Sequence, residues 1–127
     1  MLLLDSQVAL WVVSGSPRLG HTARRLIETT SPVLISVATV WELTIKAMLG
    51  KVKAPAGLAS RLRQQGLELM DIAAEHAEAI REFPELLNHD PFGRLIIAQA
   101  HVSGARLLTA DRVLLALNRD FVVNAAR

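Results

Sequence analysis

The sequence predicts an α/β sandwich built around a mostly parallel sheet, and three observations carry that expectation. Short continuous apolar runs end in a polar residue, as residues 1–4 (MLLL) end at Asp5 and residues 33–35 (VLI) end at Ser36. Strands buried on both faces read in this way. Segments of helical periodicity alternate with these runs, the order that parallel sheets with crossover helices require. Helix punctuation agrees, with Ser or Asp ahead of the helical segments and Gly behind them.

Residues 1–4 are expected to form the first buried strand. No positive region precedes them and no cleavage site follows, so they do not read as a signal peptide. Residues 22–30 predict a helix with an exposed face, stopping ahead of Pro32, and residues 33–35 the second strand. After Ser36 as N-cap, Val37, Val40, Trp41, Ile45 and Met48 fall on one helical stripe, and Gly50 ends that helix. Residues 58–65 and 74–83 read as further helices, with a short mixed strand over 67–72 between them. Asp90 and Pro91 open the next helix as N-cap and first-turn residue, and Gly104 closes it. A strand over 106–109, a brief helix capped by Asp111 and a last strand over 121–123 complete the chain.

Bulk properties narrow the function classes. At 127 residues and 51% hydrophobic content, the expectation is one domain, 1–127, able to bury roughly two-thirds of its unfolded surface. No apolar run is long enough to span a membrane. The absence of cysteine removes disulfide scaffolds, thiolate zinc sites and cysteine nucleophiles, and suits a reducing cytoplasm. Net charge is only +2, but residues 18–63 hold eight basic groups against Glu28 and Glu42, while residues 68–90 hold seven acids against Arg81. Such a basic half suits a phosphate backbone, although such stretches are more often solvated helix faces. Five aromatics without tyrosine argue against binding by base stacking. Neither a phosphate-cradling GxxxxGK[ST] loop nor a GxSxG serine motif is present. His21, His76, His89 and His101 lack metal-ligand spacing and are read as surface or hydrogen-bonded residues.

The chemistry is expected from carboxylates. Asp5 and Asp111 stand at the carboxyl ends of predicted strands, where open α/β sheets bind ligands. Glu42 lies in the second turn of the helix after the second strand, and Asp90 begins a helix of its own. Each has a local explanation: the three aspartates as N-caps worth ~1 kcal/mol, and Glu42 as the partner of Lys46, worth roughly 0.3 to 0.5 kcal/mol. Independent caps have no reason to gather at one sheet edge. Gathered there, they repel one another until a divalent cation relieves the charge. Oxygen donors alone favour Mg2+ or Mn2+, ions suited to phosphodiester hydrolysis.

Four segments resemble the PIN domains of VapC toxins over nearly the whole chain: LLLDSQVALW, ISVATVWELTIKAMLGK, HDPFGRLIIAQA and LLTAD. The resemblance implies a PIN-like three-layer α/β/α sandwich with a mostly parallel central sheet. It also implies a metal-dependent ribonuclease using Mg2+ or Mn2+, held in check by a small VapB-type antitoxin and forming a homodimer within the toxin–antitoxin complex. Asp5, Glu42, Asp90 and Asp111 are then the catalytic and metal-site acids, supported by Ser6, where the family usually has Thr, and by Thr109. Gly93 stands where the family motif DPFDR has its second aspartate, so reduced or lost activity is expected. The alternative is a catalytically inactive PIN domain that binds antitoxin or RNA. A phosphorylated receiver-like domain fits less well, because the acidic pair near the amino terminus and the lysine after a late strand are missing.

Overall fold

A computed structural model describes residues 1–127. Five strands, β1 (Leu2–Leu4), β2 (Val33–Ser36), β3 (Glu68–Met70), β4 (Arg106–Thr109) and β5 (Val122–Asn124), form one sheet in the order β3-β2-β1-β4-β5. Every pairing is parallel, so the sheet expected to be mostly parallel is wholly so. Leu2, Leu3 and Leu4 are fully buried because β1 is the middle strand and both its faces are covered.

Alternation along β1 divides the core. Leu2 and Leu4 pack with Val8 and Ala9 of α1 (Ser6–Ser14), Ala23 of α2 (His21–Thr29), Leu43 of α3 (Val37–Met48), and Leu58 and Leu62 of α4 (Leu58–Gln64). Leu3 packs on the other side with Phe83, Leu86 and the Ile96–Ile97 pair of α6 (Pro91–Ser103). A sheet with helices on both faces is the three-layer sandwich the sequence predicts.

Two expectations are corrected. The segment 74–83 is not one helix: α5 (Ala74–Glu78) passes into a 3-10 helix at Ala79–Glu82, and Phe83 leaves helical geometry with ψ 60°. The next residue is Pro84, whose ring disfavours the α conformation before it. The apolar stripe of α3 faces outward, with Trp41 58% and Met48 83% exposed, whereas Ala38, Thr39, Glu42 and Leu43 are buried. This helix is apolar around more than half its circumference, and the face bearing small and polar residues turns inward because it can pack closely and deliver Glu42 to the sheet edge.

The caps follow the sequence. Ser36 accepts from Ala38 N at 3.0 Å, and Gly50 adopts φ +72° after the last turn of α3. Asp5, Asp90 and Asp111 each cap the helix that follows, the last being α7 (Arg112–Leu115).

Candidate functional site

The chain runs from β1 outward to β2 and β3, then crosses back to β4 and β5 on the other side of β1. The order therefore reverses between β1 and β4, and the crevice beyond the carboxyl ends of those strands is where open α/β sheets bind ligands. Asp5 leaves β1 and Asp111 follows β4, so both flank that point. A pocket of about 320 Å³ opens there, lined by Asp5, Ser6, Glu42, Lys46, Asp90, Gly93 and Asp111 among others. The four acids singled out in the sequence thus border one cavity, and the local roles considered for them coexist with that placement.

Each carboxylate is held by named partners. Asp5 accepts from Val8 N at 2.8 Å through Oδ1 and from the Thr109 hydroxyl through Oδ2. Thr109, fully buried, also accepts from Asp111 N at 3.0 Å, which ties the ends of β1 and β4 together. Glu42 accepts from the Ser6 hydroxyl through Oε1 and from Lys46 Nζ at 2.6 Å through Oε2. Asp111 caps α7 through Oδ1, 2.8 Å from Val113 N, and meets His89 Nε2 at 2.9 Å through Oδ2. Asp90 is the outlying member: it is exposed, and its Oδ2 accepts from Gly93 N at 3.2 Å.

Burial raises the Asp5 carboxyl above its ordinary value of 3.8, opposed by hydrogen bonds from Thr109 and Val8 and reinforced by the charges of Asp111 and Glu42. That is the electrostatic strain a divalent cation relieves, and the oxygen donors suit a hard ion. In this arrangement no three His, Asp or Glu side chains stand in ligating geometry. Lys46 engages Oε2 of Glu42, His89 engages Oδ2 of Asp111, and Asp90 accepts from its own helix. Oxygen donors on Asp5, Glu42, Asp90 and Asp111 border the same pocket, the donor chemistry that a hard cation takes.

Two residues at this site were not singled out by the sequence. His89, expected as a surface or hydrogen-bonded histidine, is hydrogen-bonded to Asp111 at the pocket. Its one available signal was its place immediately before the Asp90–Pro91 helix start. Lys46, expected only as a local ion-pair partner of Glu42, also lines the pocket. Gly93 is less open than a surface glycine, since a Cβ there would meet His89 Nε2 at 3.3 Å.

The PIN domain family model matches residues 2–119. The chain belongs to the PIN domain family. A ribonuclease of Mycobacterium tuberculosis, VapC22, is 30% identical over 113 residues, covering 87% of each chain. This PIN domain also shares its fold with solved structures: VapBC2 from Rickettsia felis bound to a promoter DNA fragment (TM-score 0.70, 20% identity, 97% of each chain) and a toxin-antitoxin complex from Klebsiella pneumoniae (TM-score 0.66, 17% identity, 97% of this chain and 96% of that one). DNA-bound VapBC from Salmonella typhimurium aligns at TM-score 0.68 and 19% identity, over 97% of this chain and 96% of the other.

Proposed function

We propose that residues 1–127 are one ribonuclease domain, the toxin of a toxin–antitoxin pair, which hydrolyses RNA phosphodiester bonds with Mg2+ or Mn2+. The observation that carries this reading is the convergence of Asp5, Glu42, Asp90 and Asp111 on one pocket at the β1–β4 switch point. The mycobacterial ribonuclease relative supports the substrate class, and the toxin–antitoxin neighbours support a small antitoxin partner.

Asp5, Glu42 and Asp111 would hold the cation, with Asp90 at the rim. Bound there, a divalent ion activates water and offsets negative charge on the phosphate. The protein's share is positioning. Thr109 fixes Asp5, Ser6 fixes Glu42, and Ser6 also reaches Thr39 at 3.3 Å, so the acids keep their places without a ligand. Lys46, whose side chain is nearly half exposed, offers a positive charge for an RNA phosphate when it leaves Glu42.

Gly93 favours the second reading, a weakened nuclease or an inactive domain that binds antitoxin or RNA, because a glycine at the third helical position contributes no ligand. Cleavage of RNA by the purified chain in Mg2+, its loss with chelator, and its loss in Asp5→Ala test the nuclease. Gly93→Asp is expected to raise the Mg2+-dependent rate by orders of magnitude. RNA bound but uncut by both the native chain and Gly93→Asp would leave the binding module. Chelator-resistant cleavage would overturn the metal reading.

A further inference from the structure

We propose that His89 is a positioning residue for Asp111, donating from Nε2 to one oxygen of that carboxylate, and that Gly93 is the seat the imidazole needs. The inference rests on the ribonuclease reading above, which gives Asp111 its task. Asp111 Oδ1 is already committed, accepting from Val113 N at 2.8 Å and Leu114 N at 3.4 Å at the start of α7. A carboxylate held by one oxygen can still swing the other. His89 removes that freedom, because its Nε2 lies 2.9 Å from Asp111 Oδ2. An ionised carboxylate only accepts, so the imidazole carries a proton on Nε2 whether it is neutral or charged. Both side chains are largely shielded from water. Asp111 is thereby fixed from two directions at the edge of the pocket before any ligand arrives.

Two features present the imidazole at this spot. His89 N donates to Leu86 O at 2.9 Å, and Leu86 is fully buried, so the backbone that carries the ring is anchored in the core. Beside the ring lies Gly93, where a Cβ would stand 3.3 Å from His89 Nε2 and 3.4 Å from its Cδ2, closer than ordinary van der Waals contact. Gly93 is not among the glycines of positive φ, and glycine inside a helix is otherwise disfavoured. What it leaves is room. The ring reaches Asp111 through space that a side chain at position 93 would crowd, so the two positions act as one unit.

Amide hydrogen exchange on the metal-free chain tests this without depending on activity. His89→Ala should speed exchange at Val113 and Leu114, whose amides Asp111 caps, by about 10-fold, the worth of one hydrogen bond, while Val8, capped by Asp5, is unchanged. His89→Gln should restore protection and His89→Asn should not, since the glutamine amide nitrogen reaches where Nε2 stands and the asparagine nitrogen reaches only as far as Nδ1. Gly93→Val, which fills the seat, should speed the same amides and add little in the His89→Ala background. Long-range nitrogen–proton spectra should find a proton on Nε2 of the native imidazole. In Mg2+, His89→Ala should lower kcat for RNA cleavage roughly 10- to 100-fold with little change in KM, the range for a supporting group, and His89→Gln should recover it. Exchange at Val113 that is equal in the native and His89→Ala chains, acceleration that extends to Val8, or rescue by Asn in place of Gln overturns the role of His89. Faster exchange confined to Val113 and Leu114, with no RNA cleavage by the native chain or by Gly93→Asp, overturns the ribonuclease reading and leaves the hold of His89 on Asp111 standing.

Discussion

Burial holds the Asp5 carboxyl above its usual 3.8, with Asp111 and Glu42 adding to the effect and Thr109 and Val8 opposing it. A raised folded-state pKa means that the protonated acid favours folding: that contribution is complete below about pH 3.8 and is lost as pH rises through the raised value. At neutral pH without metal, the Asp5 charge therefore costs stability. Asp5→Asn should raise the metal-free melting temperature at pH 7, with the gain shrinking toward pH 3.5, and thermal melts across that range check it; a gain that grows on acidification would contradict the burial argument. Thr109→Val removes both the donor to Asp5 and the acceptor for Asp111 N. Urea denaturation should report a loss of about 1–3 kcal/mol, the cost of leaving buried groups unpaired. Nuclear magnetic resonance titration should place the Asp5 carboxyl still higher than in the native chain.

The helix α3 separates two kinds of apolar residue that composition treats alike. Leu43 is 1% exposed in the core beneath β1 and β2, while Trp41, two positions earlier, is 58% exposed and meets Phe92 edge-on at 5.1 Å. Leu43→Ala should cost about 2–5 kcal/mol, and Trp41→Ala about 1 kcal/mol, the worth of one aromatic contact. Chemical denaturation of the two variants decides which face the sheet covers. At the start of α2, Gly20 lies against the carboxyl-terminal backbone, where a Cβ would approach Arg127 C to 2.0 Å. The same backbone caps the helix, Ala23 N donating to Arg127 O at 3.0 Å. Gly20→Ala should therefore detach this tail, and hydrogen exchange at Ala23 should accelerate while β1 stays protected.

At the scale of the molecule, the reversal of strand order places the ends of β1 and β4 side by side, and the site follows from that topology. The uncovered face of α3 leaves Trp41, Ile45 and Met48 exposed to solvent. No helix is long and apolar enough to cross a membrane.

The sequence by itself determined the strands and most helices, because buried parallel strands are continuous apolar runs and because Ser36, Asp90, Gly50 and Gly104 act through local geometry that needs no distant partner. It also marked the acids, since positions after strands and at helix starts are readable from pattern. Tertiary structure alone decided the rest. Which face of α3 turns inward depends on what the sheet can accept, and its periodic stripe pointed the other way. That His89 meets Asp111 across 22 residues, and that Gly93 makes room for it, are consequences of packing α6 beside the end of β4. A contact between distant residues is fixed by the fold's geometry, and no local spacing encodes it.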